Sequence, residues 1–141
     1  MHARVPVSAA AAVGALLTLG TPATAADGTQ PSRTVAWSAG HQSATAAGER
    51  WIEQPRYLVI SGKLSNTGTG CYAVWTRFYN DFVPGPLRKQ AEVCGPGTVD
   101  VTARQAYQLT TTGQLTVCKG TEDTKDCGPW QNITSWPVNR D

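Results

Sequence analysis

From residue 50 onward the chain consists of short segments in which apolar and polar residues alternate. The segment YLVISGKLS (57–65) places Leu58, Ile60 and Leu64 on one side of an extended strand, and TVDVTARQAYQL (98–109) alternates in the same way. Alternation with a period of two is typical of β-strands that bury one face. Clusters of Gly, Pro, Asn and Asp separate these segments, as turns do.

Short strands at this spacing predict an all-β domain, built as a small antiparallel β-sandwich, with a small barrel as the alternative. Further strands are predicted at 71–81, 87–94, 113–120 and 130–136. Residues 26–48 are small and polar apart from Trp37, and they predict a loose N-terminal arm with one short strand near Thr34 to Trp37. The all-β domain is therefore expected to span residues 49–141.

The segment CYAVWTRFYND (71–81) is apolar on both sides. Cys71, Ala73, Trp75 and Tyr79 would point one way, and Tyr72, Val74 and Phe78 the other. If NTGTG (66–70) forms a hairpin loop of even length, the odd-numbered side faces the core, whereas a loop of odd length buries the even-numbered side. We favour the odd-numbered side, with Trp75 packed near a disulfide, and expect the N-terminal arm to cover the opposite side.

The first residues have the layout of a secretory signal peptide. A short start with Arg4 precedes an apolar run from about Val5 to Leu19, and Ala23 and Ala25 form an A-x-A cleavage site. The run is too short to span a bilayer, and no cysteine for lipidation follows it. We therefore expect residues 1–25 to be removed and the protein to be secreted to the extracellular space, without a membrane anchor. The Lys-poor, Ala-, Thr- and Gly-rich composition is typical of exported proteins of high-GC bacteria.

Four cysteines are available for disulfides: Cys71, Cys94, Cys118 and Cys127. An even number in an exported chain predicts two disulfides, although four cysteines allow three pairings. The short loop KGTEDTKD favours Cys118–Cys127, which leaves Cys71–Cys94 by elimination. One observation opposes the second pair, because a hairpin turn at Pro84-Gly85 would place Cys94 several residues from Cys71 along the ladder.

The charge and the motifs narrow the classes of function. The chain carries 12 Lys and Arg against 10 Asp and Glu, and the basic residues are scattered. This balance predicts neither nucleic acid nor an anionic membrane as a partner. The cysteines lack the close spacing of zinc ligands, and no cofactor-binding or catalytic motif occurs. His41 is the only histidine after the cleavage site. We therefore expect a protein that is not an enzyme and uses no metal or cofactor. We also expect it to be a monomer.

Aromatic residues carry the functional prediction. Rings at alternate positions of a strand lie about 6.7 Å apart, a spacing at which flat sugar faces stack. We therefore predict a non-catalytic extracellular binding module for a carbohydrate or a protein ligand. The candidate ligand-binding residues are Trp51, Tyr57, Tyr72 and Phe78. The alternative is that another part of the chain packs over these rings.

Two other functions are considered. A loop closed by Cys118–Cys127 would expose Lys119 and Lys125, and a rigid loop of this kind suits a secreted protease inhibitor. A small extracellular hydrolase would need a pair of carboxylates. No spacing singles out such a pair among the four candidates, Glu53, Asp81, Glu92 and Asp100.

Overall fold

A computed structural model describes residues 33–137 of the chain, which form two antiparallel β-sheets packed as a sandwich. The strands in this range are β1 (Val35–His41), β2 (Ala44–Glu53), β3 (Tyr57–Asn66), β4 (Cys71–Asn80), β5 (Val83–Pro84), β6 (Arg88–Cys94), β7 (Gly97–Ala106), β8 (Thr111–Lys119) and β9 (Gln131–Asn132). The predicted all-β sandwich is confirmed, and the barrel alternative is not. Within the described range no helix is long and apolar enough to cross a membrane. The predicted signal peptide, residues 1–25, lies outside the described residues.

The first sheet has the strand order β1-β2-β3-β7, and the second is built around β4, which pairs with β8 on one side and with β5 and β6 on the other. Their inner faces enclose one hydrophobic core because each strand alternates inward apolar and outward polar residues. The largest fully buried apolar side chains are Leu58, Ile60, Leu64, Val74, Val101, Leu115, Val117 and Ile133.

The expectation of a loose N-terminal arm is wrong for residues 35–48, which form β1 and the first half of β2. Trp37 is buried in the same core cluster as Tyr72 and Phe78. Its ring packs against Gly62, where an added Cβ would approach the ring to 2.7 Å. The absence of a side chain at Gly62, in β3, therefore makes room for the ring of Trp37. The expected domain boundary at residue 49 falls inside β2.

Strand β4 buries its even-numbered side, contrary to our expectation. Tyr72 and Phe78 are only 3% and 6% exposed, whereas Trp75 is half-buried on the outer face. The reason is that β3 and β4 belong to different sheets, so residues 66–70 cross between the sheets instead of forming a hairpin. The register of β4 is set by β6, β8 and the facing sheet, and the hairpin argument does not apply.

Both predicted disulfides, Cys71–Cys94 and Cys118–Cys127, are present. Cys71 lies directly opposite Cys94 in the ladder between β4 and β6. The turn after β4 is formed by Asp81-Phe82 and not by Pro84-Gly85, and a bulge at Gln90 of β6, opposite Val74 and Trp75, shifts the ladder further. These two features remove the geometric objection to the second pair.

The strand connections lie at two opposite ends of the sandwich. One end, which we call the loop end, carries the β2–β3 connection (54–56), the β4–β5 turn (81–82) and the β7–β8 connection (107–110). The other end, which we call the stapled end, carries both disulfides. Its connections are the β1–β2 turn (42–43), the sheet crossing (67–70), the β6–β7 turn (95–96) and the loop 120–126.

Candidate functional site

The fold does not bring the four predicted ligand-binding rings together. Tyr72 and Phe78 lie in the core, and although an edge of Phe78 reaches the groove between β6 and β7, neither ring presents a face on which a sugar could stack. Trp51 and Tyr57 are half-buried and point outward from the first sheet. Trp51 pairs with Val59, two residues from Tyr57, so these two rings are neighbours on one face.

A guanidinium group covers the ring of Tyr57. Arg104 on β7 holds its Cζ 3.4 Å from the centroid of that ring, and its Nε donates a hydrogen bond to the Glu53 carboxylate at 2.8 Å. Cation–π stacking of this kind occupies the ring face that a sugar would need. Of the predicted platform, Trp51 alone remains a candidate for stacking on a ligand.

The loop end exposes a group of apolar side chains. Phe82 and Leu109 are 98% and 96% exposed, and Val83 is 66% exposed. Single exposed apolar residues are common on protein surfaces, but these three lie at one end of one sandwich. Phe82 and Leu109 each stand two residues beyond the paired residues Asn80 and Thr111. The two tips therefore project side by side from neighbouring loops.

Hydrogen bonds fix the positions of these loops. The Thr111 hydroxyl donates to Asn80 Oδ1 at 3.0 Å and accepts the N–H of Gln108 at 3.0 Å. The N–H of Thr111 donates in turn to the carbonyl of Gln108 at 3.0 Å. The N–H of Tyr107, in the same connection, donates to the carbonyl of Arg56 in the β2–β3 connection at 3.0 Å. The connection that carries Leu109 is therefore held to the end of β4 and to the β2–β3 connection.

Phe82 adopts an unusual backbone conformation. Its φ angle is 66°, and that of Asp81 is 49°, as in the tight two-residue hairpin turns in which both central residues are left-handed. Such positions favour Gly, Asn and Asp, and a bulky residue there is strained. A turn chosen for stability alone would not carry phenylalanine at this position, so the strain marks Phe82 as a functional candidate.

Two grooves lie toward the loop end, and one of them is lined by the tip residue Leu109. One has a volume of about 370 Å³ and lies between the loops 54–56 and 107–110, with Ile52, Tyr107 and Leu109 in its lining. The other has a volume of about 530 Å³ and lies between β6 and β7, where Arg88, Lys89 and Arg104 make it basic. Lys89 pairs with Glu92 and Arg104 with Glu53, which partly offsets the positive charge.

A buried arginine lies beneath this end of the sandwich. Arg50 points inward from β2 and is 4% exposed. Its Nη2 donates to the carbonyl of Ser135 at 2.6 Å, while Nε and Nη1 are buried and have no hydrogen-bond partner in the described part of the chain. The ring of Trp136 covers the guanidinium with a centroid distance of 5.0 Å. Removal of water lowers the pKa of Arg50.

The residues considered for catalysis are engaged in other contacts. His41 Nε2 lies 2.7 Å from an Asp126 oxygen at the stapled end, and its other described side-chain contact is with Gln42. Three of the four candidate carboxylates, Glu53, Glu92 and Asp100, form ion pairs with lysine or arginine. Within residues 33–137 no group of three His, Cys, Asp or Glu side chains is arranged to hold a metal ion.

The loop closed by Cys118–Cys127 is exposed but compact. The N–H of Lys125 donates to Asp123 Oδ1 at 3.1 Å, and Lys125 Nζ lies 3.0 Å from the same carboxylate. The hydrogen bond from Lys125 lowers the pKa of Asp123. This local turn bends the loop back on itself, whereas peptide-binding clefts take extended segments.

Sequence reasoning missed the residues of the loop end. Phe82 and Leu109 stand inside turn-rich stretches, NDFVPGP and QLTTTG, where polar residues are the rule. An apolar residue at a turn was therefore a usable signal. Arg50 interrupts an inward row of small and apolar residues in β2, a signal that becomes visible only once this segment is recognised as a strand.

No protein-family model, curated protein or solved structure matches this chain. We therefore infer function from the chemistry and placement of the chain's own side chains.

Proposed function

We propose that the protein is a non-catalytic extracellular binding module whose loop end docks on another protein. The observation that carries this proposal is the pair of almost fully exposed apolar side chains Phe82 and Leu109, on two connections at the same end of the sandwich. The backbone of the connection that carries Leu109 is already fixed by hydrogen bonds, so it loses little conformational entropy on binding, which favours tight docking. The two disulfides are consistent with an extracellular location.

The surroundings of the tips favour a protein as the ligand. Protein interfaces combine apolar anchors with arginine, and a few such anchors dominate the binding energy. Arg56, Arg77 and Arg88 border the loop end and form no ion pair with other described residues. The partner surface that fits is therefore one with apolar sockets and an acidic rim.

A carbohydrate ligand fits this surface less well. Stacking on sugars needs free ring faces, and the Tyr57 face is occupied by Arg104. Protease inhibition by the loop 120–126 is also less favoured, because Lys125 is tied into a local turn with Asp123. Neither arrangement uses the exposed tips.

Site-specific cross-linking tests the proposal. A photoreactive benzoylphenylalanine is placed at position 82 or 109, and at position 102 as the control, because Thr102 is exposed on the outer face of β7. We expect one protein to be cross-linked from both tips and not from the control. The purified partner should bind Phe82→Ser at least about tenfold more weakly than the unaltered protein, since an anchor residue contributes at least about 2 kcal/mol.

Two outcomes would contradict a protein ligand. Binding to anionic lipid vesicles that is lost in Phe82→Ser would assign the tips to a membrane surface. Binding to a polysaccharide that is lost in Trp51→Ala and retained in Phe82→Ser would restore the sheet face as the binding site.

A further inference from the structure

We propose that Arg50 is the anion-binding residue of a second, small-ligand site, which takes a carboxylate with an apolar body through the groove at the loop end. This site is built on the buried guanidinium and on the groove above it, and it differs from the docking surface because only one of the two tips, Leu109, lines that groove.

The first observation is an incomplete set of hydrogen bonds around a buried charge. Arg50 is 4% exposed, yet Nε and Nη1 lack partners, and no described carboxylate pairs with the guanidinium. An arginine cannot relieve such a position by losing its proton. Buried charges in proteins are normally paired and hydrogen-bonded, so these donors mark an anion site that the described residues leave incomplete.

The second observation is a groove through which a ligand could approach the Arg50 guanidinium. Ile52 lies two residues beyond Arg50 on the same inward face of β2 and lines the groove of about 370 Å³. Tyr107 lines the same groove, and its hydroxyl accepts the hydrogen bond of Trp136 Nε1 at 3.0 Å. Trp136 is half-buried, covers the Arg50 guanidinium with its ring and packs edge-to-face on Tyr107 at a centroid distance of 6.4 Å, so it connects the groove wall to Arg50. A ligand that displaces this one ring reaches the guanidinium.

The chemistry of the walls selects the ligand. Ile52, Pro55 and Leu109 give the groove an apolar side, which suits a hydrocarbon or aromatic body. A carboxylate supplies both the negative charge and the acceptor oxygens that the guanidinium lacks. The volume of the groove, about 370 Å³, lies near the lower end of the range for small-molecule sites. The ligand that fits is therefore a small amphipathic acid rather than a long lipid.

Octanoate and octanol are suitable probes because they share a hydrocarbon chain and differ in charge. With the full protein, we expect octanoate to change tryptophan fluorescence as Trp136 moves and to raise the melting temperature. Octanol should bind at least about tenfold more weakly. Arg50→Met should reduce octanoate binding to the octanol level, while Lys119→Met, which removes a positive charge from the exposed stapled end, should leave binding unchanged.

Three results would overturn the proposal: no octanoate binding, equal binding of octanoate and octanol, or undiminished octanoate binding by folded Arg50→Met. If Arg50→Met does not fold, Trp136→Phe provides the second test. It keeps the arginine and the ring cover, so octanoate should still raise its melting temperature while the fluorescence change is lost. Loss of the thermal shift in that variant would also contradict the site.

Discussion

Replacing Phe82 with glycine tests whether the phenylalanine at this turn lowers the free energy of unfolding. Phe82 combines a φ angle of 66° with 98% exposure, so its side chain contributes almost no burial to the fold. A residue with a side chain in the left-handed region costs roughly 1–2 kcal/mol, which glycine avoids. Glycine adds about 0.5–1 kcal/mol of unfolded-chain entropy that folding must overcome. We therefore expect Phe82→Gly to raise the free energy of unfolding by up to about 1.5 kcal/mol, with a central value of about 0.8 kcal/mol.

Urea denaturation followed by circular dichroism measures this change, with an unchanged m-value as evidence that only stability is affected. For a domain of this size the melting temperature should rise by a few degrees. Leu109→Ser is the matched control, because Leu109 is equally exposed but has no positive φ, and it should change stability by less than about 0.5 kcal/mol. A loss of stability in Phe82→Gly, or an equal gain in Leu109→Ser, would refute the strain argument.

The remaining predictions concern buried groups at the two ends. Arg50→Met should leave the urea midpoint unchanged or raise it, because an unpaired buried charge is removed; a large decrease would show that Arg50 mainly holds the C-terminal segment in place. Asn66→Ala should cost at least about 2 kcal/mol in the same assay, because Asn66 Nδ2 donates to the carbonyls of Gly68, Gly70 and Gly95. Asn66→Asp should not rescue it, since a carboxylate cannot donate. Thiol titration of the unfolded, unreduced protein should detect no free cysteine, and finding two would contradict the disulfides.

Local patterns were sufficient to predict the β-rich character of the chain. Leu58, Ile60 and Leu64 alternate with polar residues and are buried as predicted, because one face of β3 meets the core. The pairing Cys118–Cys127 was also predictable, since it closes a short loop. These features depend on neighbours that are close along the chain.

Features that depend on distant partners were not predictable in this way. The buried side of β4 is decided by β8 and the facing sheet, and a crossing between sheets can resemble a hairpin loop in sequence. Residues 35–48 are small and polar apart from Trp37, yet they form core strands because Trp37 packs against Gly62 of β3, a distant neighbour in the chain. The burial of Arg50 was not predictable either, because it depends on β2 being a strand and on the ring of Trp136, which lies far along the chain and covers the guanidinium.

The two ends of the sandwich differ in how well their buried polar groups are satisfied, although Gln42 at the stapled end also has a positive φ of 52°. At the stapled end, both disulfides fix the strands, and buried Asn66 donates to three carbonyls while its Oδ1 accepts the Ser43 hydroxyl at 2.8 Å. At the loop end, Phe82 is strained and exposed, and Arg50 is a buried charge with two unpartnered nitrogens. The strained Phe82 and the buried charge of Arg50 each lower the stability of the fold, and a single substitution would remove either one. A chain selected for stability alone would have no reason to keep them at the same end. Their coincidence at the end opposite the disulfides is expected if one end holds the fold together and the other binds ligands.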